Sequence, residues 1–410
     1  MKFLFVSTEL PYPLNSGGRV AIYHRMKALK ELGHQVDFCF PYIGVLDQSH
    51  MREVRKVCNN VRGFGLTKFM SILNMIIYPR LPFRASRRLS LDLIKHIKKN
   101  ISNYDVFMVE HSSMDIYKCI DYSEIYKILF FHSLSHKSLS RVVLHLPKSN
   151  LLKRAIYSIE SIKTKWSENR IFNNDYYSNY WFYSKDDIND VVDEFPELRK
   201  KIKLIPLSVS DAYDNIFDNT FDMPLVYKKI DPDRIVLLIG SMDNPSNEDA
   251  ARWFADQIFP RILKCEKNTH FVIIGKNSDN KLNDISNDNI TVVGEVEHLE
   301  PYLKYCSVYI VPQRGGAGVR VKLMVGLSSK KPVVSTSVGV EALNDIVPGK
   351  HFLLADTDLE FSDSVVDILQ NRDNYAKLSE DGYLLFKDKY SEKAVGQYVL
   401  NYINNDMVVK

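Results

Sequence analysis

The feature that most constrains this chain is its opening, in which a strand, a loop and a helix are followed at once by a second strand. Lys2–Ser7 is mostly apolar and predicts a buried strand. A loop rich in proline and glycine leads to a predicted helix over Val20–Leu32, which ends at Gly33. Gln35–Phe40 is the next predicted strand. This spacing is typical of a βαβ crossover, so a parallel sheet with helices on its faces is expected.

The same alternation runs through the first half of the chain and starts again at Arg234–Ile239. In the first half we predict further strands at Val61–Gly65, Asp105–Glu110, Lys127–His132, Tyr180–Tyr183 and Lys203–Pro206, and helices at Leu91–Asn100 and Leu151–Asn173. In the second half we predict strands at Thr269–Ile274, Ile290–Val293, Val308–Val311 and Pro332–Ser335, and helices at Asp249–Leu263, Val319–Ser328 and Leu359–Leu369. The sequence therefore predicts two α/β series in tandem.

The length supports two domains, because 410 residues exceed what one hydrophobic core usually organises. We predict a Rossmann-like domain over 1–207, a linker over 208–233 and a second Rossmann-like domain over 234–390, with a last helix over 391–404 that packs back on the first domain. Open parallel sheets bind ligands at the carboxyl ends of their strands. The ligand is therefore expected in a cleft between the domains.

Composition narrows the class of protein. With 45% hydrophobic and 25% charged residues, the whole chain should fold. A net charge of +4 is too small to indicate nucleic-acid binding without a clustered basic face. The five cysteines are scattered, without metal-ligand spacing, which favours a reducing compartment. The sequence has no apolar run of about 18 residues and no leader pattern at its start, so a cytoplasmic protein is expected.

Two basic and apolar segments leave the membrane question open. Phe64–Leu91 interleaves apolar residues with cations, and Lys148–Arg154 is a second basic stretch. Such segments could rest on an anionic membrane surface as a peripheral contact. They could equally be ordinary helices with solvated charges.

The most informative segment for function is Val311–Lys322, which lies between a predicted strand and a predicted helix. Its glycines would let backbone N–H groups approach an anion at a helix N-terminus, and its cations suit a diphosphate. The residues concerned are Arg314, Gly315, Gly316, Gly318, Arg320 and Lys322.

This segment belongs to an ordered set of motifs that resembles glycosyltransferase family 4, the glycosyl transferases group 1. The set comprises Gly240–Asn247, Asp249–Phe254 with Pro260, Ile273–Lys276, Gly294–Val296, Pro312–Lys322 and Lys331–Thr336. At the start of the chain, Pro11, Pro13, Gly17, Gly18, Arg25 and Gly33 are similar to the opening of the same family. The resemblance implies a GT-B fold and a retaining transfer from a nucleoside diphosphate sugar.

The resemblance also implies positions for the donor. Gly17 and Gly18 would approach the diphosphate or the acceptor from the first domain, and Gly240 would line the phosphate end of the second. Lys276 and Val296 would lie near the nucleoside base. Glu341 matches a carboxylate that could contact the sugar or close its loop.

Two departures from the family separate this chain from its relatives. Family members carry a glutamate at each end of an E-x-seven-E motif, where this chain has Ala317 and Val325. A basic pair that commonly follows the strand-end glycine is replaced by residues near Ser246 and Asn247. The remaining cations, Arg314, Arg320 and Lys322, would then neutralise the phosphates. Since no Asp-x-Asp motif stands at a strand end, we expect activity without a metal ion or other cofactor.

Candidate catalytic residues in the first domain follow two predicted strands. Glu110 and His132 stand at strand ends, where either could orient or deprotonate an acceptor hydroxyl, and His111 is a weaker candidate. Backbone hydrogen bonding by these side chains is the alternative interpretation.

The sequence thus predicts a glycosyltransferase that uses a nucleoside diphosphate sugar and a glycan or lipid-linked glycan acceptor, in surface polysaccharide biosynthesis. A nucleotide-sugar 2-epimerase shares the architecture but would need acid and base carboxylates in the cleft. A non-catalytic relative that binds a glycan or nucleotide is a third hypothesis, raised by Ala317 and Val325.

Overall fold

The computed structural model describes residues 1–14, 16–118, 125–145, 150–174, 176–210, 221–315, 321–341, 343 and 345–408. The chain forms two units, one of Met1–Ser208 with Val395–Lys410 and the other of Val209–Ala394. Of the predicted linker, 211–220 lies outside the described residues, while 221–233 belongs to the second unit and contains the short turn Leu225–Tyr227.

In its described residues the first unit has a sheet of seven parallel strands. The strands are β1 (Lys2–Val6), β2 (Gln35–Ile43), β3 (Asn60–Leu66), β4 (Val106–Glu110), β5 (Tyr126–Phe131), β6 (Asn179–Phe182) and β7 (Ile202–Leu204). Their spatial order is β3-β2-β1-β4-β5-β6-β7. The direction of strand addition changes between β1 and β4, which is where doubly wound sheets bind ligands.

Helices cover this sheet and bury its apolar strands. They are α1 (Gly17–Glu31), α2 (Gln48–Val57), α3 (Lys68–Ile77), α4 (Phe83–Ser86), α5 (Leu91–Asn100), α6 (Ser135–His145), α7 (Leu151–Phe172) and α8 (Lys185–Glu194). Helix α1 begins three residues earlier than predicted. The Ser16 side chain accepts the N–H of Arg19 and caps the helix, so Gly17 and Gly18 form its first turn and are not part of the loop.

The second unit has, among its described residues, a parallel sheet of six strands in the order β10-β9-β8-β11-β12-β13. Its strands are β8 (Ile235–Ile239), β9 (His270–Ile274), β10 (Ile290–Gly294), β11 (Val308–Val311), β12 (Val333–Ser335) and β13 (Leu353–Leu354). Its helices are α9 (Pro245–Trp253), α10 (Phe259–Cys265), α11 (Ser278–Lys281), α12 (Glu300–Tyr305), α13 (Val321–Ser328), α14 (Asp358–Gln370) and α15 (Ala376–Lys389). The predicted single helix Asp249–Leu263 is interrupted by a π turn at Phe254–Ile258, which separates α9 from α10.

The last helix, α16 (Glu392–Val408), begins in the second unit and joins the first from Val395 onward. A Cβ added at Gly396 would lie 2.9 Å from the Cβ of Ala28, so α16 and α1 pack closely. Near the end of α16, Asp406 Oδ2 accepts hydrogen bonds from Tyr126 and Asn179, each at 2.7 Å. These contacts fix the end of the chain on the first sheet.

Across the described part of the chain, no helix has both the length and the apolar character that crossing a bilayer would require.

Candidate functional site

Polar side chains in the first unit meet at the carboxyl ends of three adjacent strands. Glu110 is the last residue of β4, His132 follows β5 and Tyr183 follows β6. Parallel strands bring their carboxyl ends to one edge, so residues distant in sequence become neighbours. Glu110 and His132, both predicted from this logic, do come together.

A buried ion pair holds Glu110 in place. Arg25 Nη1 on α1 lies 2.6 Å from Glu110 Oε1, and both side chains are fully buried. Arg25 also donates to the Tyr183 hydroxyl and stacks 3.9 Å from the centre of the Phe130 ring. Burial raises the pKa of Glu110, while the positive charge of Arg25 opposes that rise. Because the pair is enclosed on all sides, the carboxylate has a fixed orientation.

The second oxygen of Glu110 faces His132. His132 Nε2 lies 2.8 Å from Glu110 Oε2, and since a carboxylate only accepts hydrogen bonds, Nε2 carries the proton. The lone pair is then on Nδ1, which lies 3.3 Å from the position a Cβ would take at Gly18. Burial, with the nearby charge of Arg25, lowers the pKa of His132 to about 3. At neutral pH the imidazole is therefore unprotonated, and its lone pair is oriented to accept a hydrogen bond from a hydroxyl group.

His111 completes this cluster. Its ring centroid lies 3.9 Å from that of His132, and its backbone has φ of 75°. Burial, followed by the neighbouring His132, lowers the pKa of His111 well below its usual value. The structure therefore brings Gly18, Glu110, His111 and His132 together, with Gly17 exposed at the start of the same helical turn.

Sequence reasoning missed Arg25 and Tyr183 as members of the cluster. A signal for Arg25 was present, since it stands among apolar residues of α1 between Ile22 and Met26, and a buried arginine needs a buried partner. The sequence did not show which carboxylate that partner was.

In the second unit, the end of β8 is covered by Lys322 and Asn247. A Cβ added at Gly240 would lie 3.0 Å from Lys322 Cε and 3.1 Å from Asn247 Nδ2. Lys322 Nζ donates to Asn247 Oδ1, and Asn247 Nδ2 donates to the Ser241 carbonyl at 2.6 Å. The predicted pair of Gly240 and Lys322 is therefore adjacent. Asn247, which stands near the position of the family's basic pair, is the residue that fixes the lysine.

Backbone groups of neighbouring strands meet at the same edge. A Cβ added at Gly275 would lie 2.0 Å from the Gly240 carbonyl oxygen, and Gly275 has φ of 144°. Its N–H donates to the Gly294 carbonyl at 2.8 Å. Only glycine fits at position 275. Its close approach to Gly240 and its hydrogen bond to Gly294 hold the ends of β8, β9 and β10 together.

The other predicted cations of this edge are engaged with carboxylates. Arg314 Nη2 lies 2.6 Å from Asp249 Oδ1, and Lys276 Nζ lies 3.2 Å from Asp243 Oδ2. Both cations are partly exposed, and Arg314 also stacks over Trp253 at 5.1 Å. A diphosphate would therefore have to compete with Asp249 for Arg314.

The structure describes only some of the remaining residues that the sequence predicts for donor binding. Gly316, Gly318 and Arg320, with Ala317, lie outside the described residues. Gly315 is the last described residue of that loop, Val296 is half-buried after β10, and Glu341 is exposed after the short turn Val338–Val340. Val325 is buried in α13. Over the described ranges, no three His, Cys, Asp or Glu side chains are grouped so as to hold one metal ion.

Residues 233–371 match the model of the glycosyl transferases group 1 family. The second unit is a group 1 glycosyltransferase domain. The match contains the strand-end glycine, Asn247, Arg314 and Lys322, so the polar edge described above lies within the family's own region. The predicted resemblance to this family is confirmed over residues 233–371, and it identifies the protein as a transferase.

The similarity to other proteins covers nearly the whole chain. An uncharacterized 44.6 kDa protein in the cps region of Klebsiella pneumoniae is 24% identical, with 96% of this chain and 97% of that protein covered. The structure of HepE from Anabaena in complex with UDP has a TM-score of 0.65 at 10% identity, covering 99% of this chain and 100% of that one. A mutant of TarM from S. aureus, in complex with UDP, Fondaparinux and alpha-GlcNAc-glycerol, has a TM-score of 0.64 at 12% identity, covering 98% and 99%. These structures confirm the predicted GT-B fold of this glycosyltransferase.

Proposed function

We propose that this glycosyltransferase moves a sugar, with retention, from a nucleoside diphosphate sugar to a glycan or lipid-linked glycan in surface polysaccharide biosynthesis. The observation that carries the donor assignment is the placement of Lys322 over Gly240 within the group 1 domain. The relative in a cps region supports the biosynthetic setting, and the UDP complexes of HepE and TarM support a nucleotide donor. The four described cysteines are free, which is consistent with a cytoplasmic reaction.

The donor edge suits a departing diphosphate. When the bond to the sugar breaks, negative charge grows on the diphosphate, and a fixed ammonium beside it stabilises the transition state more than the ground state. Asn247 holds Lys322 in position before the donor arrives, so little reorganisation is needed. Arg314 would exchange its carboxylate partner for phosphate, and Lys276 with Val296 would lie toward the nucleoside. We also assign a role in donor binding to Gly316, Gly318, Arg320 and Glu341.

We assign the acceptor chemistry to the first unit. His132 Nδ1 would accept a hydrogen bond from the acceptor hydroxyl and orient it, and Glu110 would hold the imidazole in the required tautomer. Arg25 acts through Glu110 and is a positioning residue. His111 limits the movement of the His132 ring by stacking on it. Gly17 and Gly18 leave the approach to Nδ1 without side chains.

The donor assignment is tested by incubating the protein with a panel of nucleoside diphosphate sugars and measuring release of the nucleoside diphosphate. Lys322→Ala should weaken donor binding by about 10- to 100-fold, the value of a charge-assisted hydrogen bond. Lys377→Ala is the matched control, because Lys377 is exposed on α15 and forms an ion pair with Asp381. Equal donor affinity of Lys322→Ala and the parent protein would remove this site from the proposal.

The same panel separates the alternatives. Inversion at C2 of the donor sugar would indicate an epimerase, and binding without turnover would indicate a non-catalytic relative. We also propose that no metal ion is needed, so a chelator should leave the rate unchanged. Complete loss of turnover with the chelator, restored by a divalent cation, would refute that part.

A further inference from the structure

Helix α3 of the first unit is inverted, because it packs through its polar side and exposes its apolar side. Its buried residues are Ser71 and Asn74, which are polar, whereas Phe69 is 71% and Ile76 is 69% exposed. Asn74 Nδ2 donates to the Leu89 carbonyl at 2.8 Å, so the polar side is the side that packs. A surface helix normally turns its apolar stripe inward. The outward apolar stripe of α3 therefore faces something other than water.

Helix α7 shows the same inversion. Its buried polar residues are Ser161, Thr164 and Glu168, and Glu168 Oε2 lies 2.6 Å from His136 Nδ1 on α6. Its exposed side carries large apolar side chains, namely Leu151, Leu152, Ile156, Ile159, Ile162 and Trp166. Trp166 on the same side is more than half exposed. One inverted helix could be local chance, but two neighbouring ones form a surface.

The two helices are joined through α4. The N–H of Phe83, the first residue of α4, is accepted by Glu160 Oε1 on α7. Arg87, which ends α4, donates to Ser71 Oγ on α3 and lies over the Phe83 ring. We call the exposed side of α3, α4 and α7 the inverted face. Its apolar area extends over three adjoining helices, far beyond the scattered single residues normal for a protein surface.

Positive charges predominate around the inverted face, although Lys165 pairs with the exposed Glu194 of α8. No aspartate or glutamate occurs between Glu53 and Asp92, or between Glu124 and Glu160. The carboxylate of Glu160 is engaged with the backbone of α4. Cations on and beside the face are Lys68, Arg80, Arg84, Lys153, Lys163 and Lys165. The occupant of the face must therefore be apolar and negatively charged at its boundary.

We infer that the inverted face docks this protein on an anionic lipid bilayer, with α3 and α7 lying in the plane of the headgroups. Their apolar side chains would enter the acyl boundary while the lysines and arginines contact anionic headgroups. A second copy of the chain fits less well, because a symmetric pairing would set the cations of one face against those of the other. The inference rests on the surface of the first unit alone and does not depend on the proposed reaction.

The test uses the full chain and sedimentation with two kinds of vesicle, phosphatidylcholine alone and phosphatidylcholine mixed with phosphatidylglycerol. Binding should be strong only to the anionic vesicles and should weaken as salt rises. Ile76→Ser combined with Ile162→Ser should lower the affinity by about 10-fold or more. Leu225→Ser combined with Leu359→Ser is the matched control, because both residues are exposed apolar side chains of the second unit. This control should bind like the parent protein.

Charge is tested separately with Lys153→Gln and Lys163→Gln, against Lys228→Gln and Lys229→Gln as exposed lysines of the second unit. Only the first pair should reduce binding to anionic vesicles. Thermal melting checks that each variant is folded, which is expected because the changed side chains are exposed or, for Lys163, half-exposed. Unchanged binding of the Ile76 and Ile162 variant would overturn the inference. It would be overturned equally by sedimentation velocity showing a dimer that these serines dissociate.

Discussion

His132 Nε2 lies 2.8 Å from Glu110 Oε2, and this contact decides which nitrogen of the imidazole is free to react. Arg25 binds the other carboxylate oxygen, so the arginine, carboxylate and imidazole form one buried hydrogen-bonded network that ends at His132 Nδ1. This network joins α1 to the ends of two strands. Substitutions at different residues of the network can therefore test its role in the reaction separately from its role in protein stability.

Gly18→Ala should reduce turnover without reducing stability. The added Cβ would lie 3.3 Å from His132 Nδ1 and would crowd the atom that we propose binds the acceptor hydroxyl. Alanine is favoured over glycine in a helix by about 1 kcal/mol, so the melting temperature should stay the same or rise. Steady-state rates with the preferred donor should fall by about 10-fold or more. A fully active Gly18→Ala variant would place the acceptor elsewhere.

The pH dependence of stability should show the depressed pKa of His132. Burial lowers the pKa of His132 in the folded protein to about 3, against an ordinary value of 6.5, so between these values the unfolded chain binds more protons. The stabilisation from neutral His132 is thus complete above about pH 6.5 and is lost as the pH falls toward 3, by up to about 1.4 kcal/mol per pH unit.

His132→Gln removes this titration and serves as the reference. Urea unfolding of both proteins from pH 7.5 to 4.5 should show the parent losing stability faster than the variant below about pH 6.5. Burial lowers the pKa of His111 as well, so the variant should retain a smaller slope of the same sign. Parallel curves for the two proteins would mean that His132 titrates normally in the folded state.

Arg25→Met should destabilise the first unit strongly. It leaves Glu110 as a buried carboxylate without its guanidinium, a change that costs about 3 to 5 kcal/mol. Lys377→Met breaks the exposed pair with Asp381 and should change stability by less than about 1 kcal/mol. Calorimetry compares the two variants. Should Arg25→Met prove as stable as the control, Glu110 would have to be neutral in the folded protein.

The sequence allowed the strand-end residues to be predicted because strand and helix alternation alone fixes a parallel sheet. Glu110 and His132 stand at the ends of apolar runs in the first unit, and Gly240 stands at the end of one in the second, so the edge of each sheet on which they lie could be stated from the sequence. Contacts between the side chains of separate helices were different. The pairing of Lys322 with Asn247 spans 75 positions, and no local pattern indicates which side chain the lysine meets.

The orientation of α3 and α7 shows another limit of sequence reasoning. The pattern of apolar residues gives the period of a helix but not which side faces the protein. The pattern therefore does not show that Trp166 is exposed, whereas in the structure polar contacts of Ser161 and Glu168 turn the other side of α7 inward. The mixture of apolar and basic residues over 64–91 suggested contact with a membrane surface. That α7 contributes to the same surface could be seen only from the packing of the helices.

The contact of Gly275 with Gly240 leads to the last prediction. Alanine at 275 would place a Cβ 2.0 Å from a backbone oxygen that cannot move without separating β8 from β9. Gly349→Ala is the matched control, since Gly349 also has a positive φ, of 75°, but nothing within 4 Å of an added Cβ. The control carries only backbone strain, about 1 to 3 kcal/mol, whereas Gly275→Ala adds a steric clash. Gly275→Ala should therefore lower the unfolding free energy by clearly more than the control and weaken donor binding, because the same edge positions Lys322. Equal losses in both variants would show that the strand ends can separate without cost, and the fixed phosphate edge inferred from this contact would have to be abandoned.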